Sequence, residues 1–159
     1  VLTHGVIYDP VKNDLFTATR GSGAFLNDRR LRVSKREKLI DGLIGTGFPF
    51  RIQEHTDAYI AMMKEFMHKT AGIRRPGAAA LDLANVAAGR LDGFWEIGLS
   101  PWDMAAGALL VQEAGGLVGD LLGNEGYLAK GTIVAANPKL FPQMLHLMSP
   151  HLTPALRAL

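Results

Sequence analysis

The sequence contains no cysteine, which excludes a disulfide framework and a thiolate metal site. It also lacks an apolar run long enough to cross a membrane. The charge is nearly balanced: 17 Lys and Arg stand against 15 Asp and Glu, and a net charge of +2 is too small to hold nucleic acid through a field over the whole protein. This composition predicts a cytoplasmic protein with no membrane partner.

The 159 residues, of which 48% are hydrophobic, are enough to bury one sizeable core. Strand-like runs alternate with helical patterns, and no repeat or low-complexity linker divides them, which indicates an α/β domain. The sequence starts at Val1 without a methionine and enters a strand-like run at once. We therefore expect the chain to be a fragment of a longer protein.

The spacing of apolar residues and the positions of Gly and Pro predict the secondary structure. A long helix is predicted over 53–70, and its buried side is expected to carry Tyr59, Met63, Phe66 and Met67. His55 and His68 are expected on its surface. The other predicted elements are strands at 1–8, 15–19, 24–26, 31–33, 42–47, 72–75, 93–97, 117–122 and 132–136, and helices at 77–89, 104–114 and 138–148.

A basic run lies between residues 29 and 38 and comprises Arg29, Arg30, Arg32, Lys35, Arg36 and Lys38. Edge strands and loops commonly carry such charges, so a solvated loop with a strand edge is one interpretation. A contact surface for RNA or an acidic partner is the other. The sequence is compatible with both.

The most informative stretch is 101–116, which reads Pro-Trp-Asp-Met-Ala-Ala-Gly-Ala-Leu-Leu-Val-Gln-Glu-Ala-Gly-Gly. Asp103 is predicted to be the N-cap of a buried helix, because its carboxylate can accept from free amides and an apolar, Ala- and Leu-rich run follows. Glu113 lies too far along that helix to share a site with Asp103, so it is predicted to be structural, with an unidentified partner. Asp82 and Asp92 are interpreted as a helix residue and a turn residue.

Three motifs together resemble the signature of the inositol monophosphatase family, in wording closest to its bacterial branch. They are Gly-Ala-Ala-Ala-Leu-Asp-Leu-Ala at 77–84, Arg-Leu-Asp-Gly-Phe-Trp-Glu-Ile-Gly at 90–98 and the Trp-Asp to Glu-Ala-Gly-Gly stretch at 102–116. The resemblance implies a layered α-β-α-β-α sandwich of the sugar phosphatase type, of which this chain is the C-terminal portion. Residues 1–40 would be a remnant of an N-terminal sheet domain, and 41–159 would be a C-terminal α/β domain.

The resemblance also implies a metal site at Asp103. Phosphate-ester hydrolysis needs a metal ion to neutralise developing charge, and Mg²⁺ prefers carboxylate and water oxygens. On the family pattern Asp103 is a ligand of Mg²⁺. The local pattern alone is satisfied if Asp103 only caps its helix.

Substrate contacts are implied at two further places. The family pattern gives Glu96 to the hydroxyls of the substrate ring, whereas its local pattern alone fits an exposed glutamate at a strand end. Gly77, Ala78 and Ala79 begin a helix whose free amides favour an oxygen-rich group. The resemblance implies that an amide near Ala79 contacts the sugar hydroxyls, and tight packing of small residues is the alternative.

The family's other signature is absent from these residues. That signature comprises an upstream glutamate and an Asp-Pro-Leu-Asp-Gly-Thr-like segment, whereas Asp9-Pro10 here is followed by Val11-Lys12. No catalytic residue is therefore assigned, and the isolated chain is predicted to be inactive.

Two functions follow for the complete protein. The first is Mg²⁺-dependent, lithium-sensitive hydrolysis of inositol 1-phosphate or a related sugar phosphate by a homodimer. The alternative is a binding protein that acts with RNA polymerase and antitermination factors in ribosomal RNA transcription, as the resemblance to bacterial members implies.

Overall fold

The computed structural model describes all residues, 1–159. Its first part is an antiparallel sheet in the order β1-β2-β3-β4. These strands are β1 His4–Asp9, β2 Asp14–Thr19, β3 Gly23–Leu26 and β4 Arg29–Arg30. Asn13, Asn27 and Asp28 have φ values of 53°, 46° and 67° at the tight turns, where short polar side chains tolerate the left-handed conformation. The predicted hairpins are thus present, although β3 pairs with β4 nearer the turn than expected.

The second sheet has five strands in the order β6-β5-β7-β9-β8. Its strands are β5 Leu43–Thr46, β6 Gly72–Arg74, β7 Gly93–Ile97, β8 Leu117–Gly119 and β9 Thr132–Ala136. β5 is parallel to β6 and β7, whereas β9 is antiparallel to both of its neighbours. The carboxyl ends of β5, β6 and β7 therefore meet at one edge of the sheet.

Six α-helices complete the structure. They are α1 Thr56–Lys69, α2 Ala79–Ala87, α3 Pro101–Glu113, α4 Tyr127–Lys130, α5 Leu140–Met148 and α6 Pro154–Ala158. Short 3₁₀ turns lie at Leu39–Asp41, Gln53–His55 and Ser149–His151. None of the helices is both long and apolar enough to pass through a membrane.

The elements form alternating layers. One core cluster joins the first sheet to α2, α3 and one face of the second sheet, through residues such as Phe16, Leu83, Leu110 and Phe94. A second cluster joins the other face of the second sheet to α1 and α5, around Trp95 and Met144. The order is sheet, helices, sheet, helices, so the predicted layered α/β fold is confirmed.

The helix over 53–70 differs from its prediction in two ways. Its buried side is formed by Ala58, Tyr59, Met62 and Phe66. Met67 is instead 63% exposed, because the buried face of the helix is shifted by one residue from the predicted face. His55 is 3% exposed, so the prediction that it lies on the surface was wrong. His55 ends the 3₁₀ turn that directly precedes α1, whereas His68 is exposed as expected.

Other helix and strand boundaries also differ from the predicted ones. α2 begins at Ala79 rather than Gly77, and β8 ends at Gly119 rather than Leu122. Between β8 and β9 the chain forms the short helix α4, which was not among the predicted elements and which a left-handed Gly131 ends. All six basic residues of the run are exposed, and Arg29 and Arg30 lie on the edge strand β4.

Candidate functional site

A cavity of about 250 Å³ opens at the carboxyl edge of the parallel strands. Crevices at this edge of a sheet are where α/β proteins commonly bind ligands. Its walls are the segments that follow β5, β6 and β7 together with the starts of α2 and α3. The cavity brings together all five predicted site residues, Gly77, Ala78, Ala79, Glu96 and Asp103.

The start of α2 presents unused backbone amides to the cavity. Gly77 has φ +96°, a conformation that glycine adopts without strain, and Ala78 then enters the helix from an extended conformation. No side chain caps this helix, so the positive end of its dipole and its first amides are free for an oxygen-rich group.

Glu96 is placed by the alternation of side chains along β7. Trp95 and Ile97 belong to the core cluster on the α1 side, whereas Phe94 belongs to the α2–α3 side, and Glu96 follows Phe94 onto that side. Gly47 leaves room for it, because a Cβ atom at Gly47 would lie 2.2 Å from the carboxyl carbon of Glu96. The side chain is half-buried in the cavity wall rather than free at a strand end.

Asp103 is not the N-cap of α3, as the sequence predicted. Pro101 begins the helix and Ser100 is the N-cap, because proline is well suited to the first helical position. One carboxylate oxygen of Asp103 accepts a hydrogen bond from the backbone N–H of Ser100 at 2.9 Å. The other oxygen makes no hydrogen bond within the chain and is available to the cavity.

Asp82 is a functional candidate that the sequence reasoning missed. It lies in α2 and is 1% exposed, and its Oδ1 atom is buried without a hydrogen-bond partner. Burial raises its pKa from 3.8 to about 7, although the nearby charge of Arg75 opposes the shift. The sequence did contain a signal for this burial, because Asp82 lies between two leucines of a largely apolar helix. Such a helix buries more than one of its faces.

The electrostatics of Glu96 link the acidic groups of the site. Burial, followed by the charges of Asp82 and Asp103, raises the pKa of Glu96 from 4.5 to about 7, and Arg75 again opposes the shift. Three carboxyl groups from α2, β7 and α3 therefore influence one region. A group of positive charge in the cavity, or protonation, would relieve their repulsion.

Arg75 forms part of the cavity wall and stacks on two aromatic rings. Its guanidinium carbon lies 5.0 Å from the ring centre of Phe48 and 5.3 Å from that of Phe50. Phe50 is 69% exposed. Phe48, Phe50 and the guanidinium group stacked on them therefore form one side of the cavity.

Two other acids serve the fold. Glu113 accepts hydrogen bonds from the backbone N–H groups of Gly21 and Gly23, both at 2.8 Å. These two residues are the partners that the sequence could not identify when it predicted a structural role for Glu113. Asp92, interpreted as a turn residue, accepts from the N–H of Leu43 at 2.7 Å and is 7% exposed. Neither acid lines the cavity.

The carboxylates fit a metal ion only in part. The free oxygen of Asp103 is a suitable donor for Mg²⁺. However, the 159 residues bring no three carboxylate or histidine side chains together as a complete ligand group. This chain can therefore contribute a ligand, but not a full coordination sphere.

The sequence places this α/β fold in a known protein family. The profile of the inositol monophosphatase family matches residues 1–152, so the chain belongs to that family.

Among its relatives, the Nus factor SuhB of Pseudomonas aeruginosa is 59% identical over 158 residues, which cover 98% of this chain and 58% of that protein. The Nus factor SuhB of Escherichia coli is 52% identical over 152 residues, 96% of this chain and 57% of that protein. The chain thus spans less than two thirds of the length of these relatives.

Solved structures show the same fold. The extragenic suppressor protein SuhB of Bartonella henselae superposes with a TM-score of 0.89 at 49% identity, covering 92% of this chain and 56% of that one. The inositol monophosphatase of Anabaena (Nostoc) superposes with a TM-score of 0.89 at 41% identity, covering 99% of this chain and 62% of that one.

Proposed function

We propose that this chain carries the ring-recognition side and one metal ligand of a phosphomonoesterase, with inositol 1-phosphate or a related sugar phosphate as substrate. The observation that supports this most is the convergence of Glu96, Asp103 and the start of α2 on one cavity. Membership of the inositol monophosphatase family supports the same reaction class. In this proposal residues 1–40 and 41–159 belong to two domains of a longer cytoplasmic protein that forms a homodimer.

Each group has a distinct task in the proposed reaction. Asp103 would hold Mg²⁺ through its free oxygen while its other oxygen fixes the start of α3. When bound, the metal neutralises charge on the phosphate and supplies a usable hydroxide from water. Glu96 would accept hydrogen bonds from ring hydroxyls, and the free amides after Gly77 and Ala78 would donate to ring oxygens near Ala79.

The experiment compares the longer protein with the chain of residues 1–159. The longer protein should hydrolyse inositol 1-phosphate in a Mg²⁺-dependent and lithium-sensitive way. The chain alone should be inactive, because it holds no complete ligand group. Turnover by residues 1–159, or no turnover on any sugar phosphate by the longer protein, would contradict the proposal.

A second function is proposed because relatives carry the name Nus factor. The longer protein would also bind RNA polymerase or antitermination factors, and the exposed basic run at 29–38 is the surface of this chain that suits an acidic partner. A pull-down with transcription factors tests it. Charge reversal at Arg29 and Arg30 should weaken capture, while the phosphatase activity stays unchanged.

A further inference from the structure

A second and larger cavity shares no lining residue with the candidate site. It is a surface groove of about 870 Å³. The end of α1, the outer side of α5 and the 3₁₀ turns at Leu39–Asp41 and Ser149–His151 form its walls. Of its lining residues only Lys38, the last residue of the basic run, has entered a proposed function.

Polar contacts between its walls hold the groove in shape. The side chain of Gln143 on α5 accepts from the N–H of Leu39 at 3.0 Å and donates to the carbonyl of Glu37 at 2.8 Å. His151 Nε2 lies 3.7 Å from Glu65 Oε1, which joins the second 3₁₀ turn to α1. The groove is therefore already formed, and a ligand need not bear the cost of ordering it.

The groove exposes apolar surface that the fold leaves uncovered. Ile40 is 54% exposed, and Leu147 of α5 is only partly buried. Pro142 and Pro150 extend this apolar lining. Contiguous apolar surface with polar groups around it is typical of a site that binds another molecule.

The charged groups of the groove leave a positive excess. Lys38 and Lys69 are exposed, and neither forms an ion pair. Glu65 is the one acid in the lining, and it lies beside His151. In the adjoining hollow the acids Glu37, Asp41 and Asp92 are offset by Lys35 and Arg36. The two lysines are thus available to the carboxylates of a partner.

The same lining suits a protein segment better than a nucleic acid. It contains no Phe, Tyr or Trp, the rings on which unpaired bases stack. Two lysines beside one glutamate also supply little charge for a phosphate backbone. Aliphatic side chains and prolines instead match the apolar face of a helix.

We propose that this groove is a docking site for an acidic, amphipathic helix of a partner protein. The apolar face of that helix packs on Ile40 and Leu147, and its carboxylates pair with Lys38 and Lys69. The proposal rests on neither the phosphatase function nor the binding of transcription factors.

The test is fluorescence anisotropy of the longer protein with a fluorescein-labelled helical peptide that carries leucines along one face and glutamates elsewhere. Lys69→Glu is compared with Lys64→Glu, a change of equal charge at an exposed residue of the same helix outside the groove. Lys69→Glu should raise the Kd about fivefold, whereas Lys64→Glu should leave it nearly unchanged.

A second pair of variants tests the apolar surface. Ile40→Ser in the groove is compared with Ile60→Ser on α1, because the two isoleucines are 54% and 55% exposed. Ile40→Ser should raise the Kd about tenfold, since it removes apolar surface that the peptide would bury. Ile60→Ser should not change the Kd, and both variants should keep the thermal midpoint of wild type.

Three results would overturn the proposal: no binding of the acidic peptide, equal losses for groove and control variants, or preferential binding of labelled single-stranded oligouridylate that Lys69→Glu abolishes. The last result would make the groove a nucleic-acid surface. Charge reversal at Arg29 and Arg30, which tests the second proposed function, should leave peptide binding unchanged because neither residue lines the groove. The two proposals can therefore fail separately.

Discussion

The carboxylate of Asp103 accepts a hydrogen bond from the backbone N–H of Ser100, three residues earlier, at 2.9 Å. This contact ties the side chain that faces the cavity to the start of α3. It holds one oxygen in place and directs the other toward the proposed metal. The same residue therefore serves the fold and the site, with one oxygen for each.

This division predicts that Asp103→Asn separates stability from activity. The asparagine oxygen can still accept from Ser100, so the free energy of unfolding should change little. Turnover by the longer protein should fall sharply, because the amide has no charge for the metal. Asp103→Ala is the matched control: it removes the acceptor too and should cost about 1 kcal/mol in denaturant unfolding. Normal Mg²⁺-dependent turnover of Asp103→Asn would mean that the residue only fixes the helix.

Gly47→Ala should damage recognition more than stability. The added Cβ atom would overlap the carboxyl group of Glu96 at 2.2 Å. Because the end of a side chain can rotate away, the fold should tolerate the change, but Glu96 would leave its position. We expect a higher KM for the ring substrate and a thermal midpoint close to that of wild type. An unchanged KM would show that the position of Glu96 does not matter.

Glu113→Ala should destabilise the chain without touching the cavity. It removes two hydrogen bonds to a charged acceptor, from Gly21 and Gly23. With each such bond worth about 1.5–3 kcal/mol, partly screened at this half-exposed site, we expect a loss of about 2 kcal/mol in denaturant unfolding. Glu125→Ala, at an exposed acid without hydrogen bonds, is the control and should be neutral. Equal stability of the two variants would contradict this assignment.

The stability of the chain should fall between about pH 4 and pH 7 because of Asp82. Its pKa is raised from 3.8 to about 7 in the folded state. Its contribution is therefore fully present below the unfolded value and is lost as the pH rises through about 7. Asp82→Asn cannot ionise, so its free energy of unfolding should exceed that of wild type above pH 7 and approach it near pH 4.

Asp120 contributes with the opposite sign. Burial raises its pKa, but the hydrogen bond and charge of Lys130, with the N–H groups of Asn124 and Leu122, outweigh burial and lower it overall. Its contribution is present above 3.8 and is lost only as the pH falls through the lowered value. Thermal unfolding at several pH values separates the two acids, because Asp82→Asn should alter the upper range alone.

The sequence predicted most of the fold, and the reasons for its failures are physical. The strand at 93–97 and the buried helix after Asp103 were predicted because apolar patterning and punctuation by Gly and Pro act locally. The burial of His55 and the exposure of Met67 depend on which side of α1 meets α5. That choice is made by packing between distant segments, which local spacing does not contain.

In the candidate site, too, local motifs were predicted correctly, whereas features that depend on packing were not. Glu96 and Asp103 were predicted from their motif, and the structure brings them to one cavity. The cap at Ser100 and the burial of Asp82 depend on how α3 and α2 meet the sheet. The partner of Glu113 lies about ninety residues away in the chain, so no local pattern could identify it.

The most direct test of the proposed function concerns Glu96. Glu96→Gln keeps the shape of the side chain but removes its charge, and a hydrogen bond to a charged group is worth about 1.5–3 kcal/mol. In the longer protein we predict about a ten- to hundredfold loss of kcat/KM on inositol 1-phosphate, with Mg²⁺ dependence retained. The loss on a small phosphate ester that lacks ring hydroxyls should be much smaller. Equal losses on both substrates would place Glu96 in the metal or structural shell and contradict its role in ring recognition.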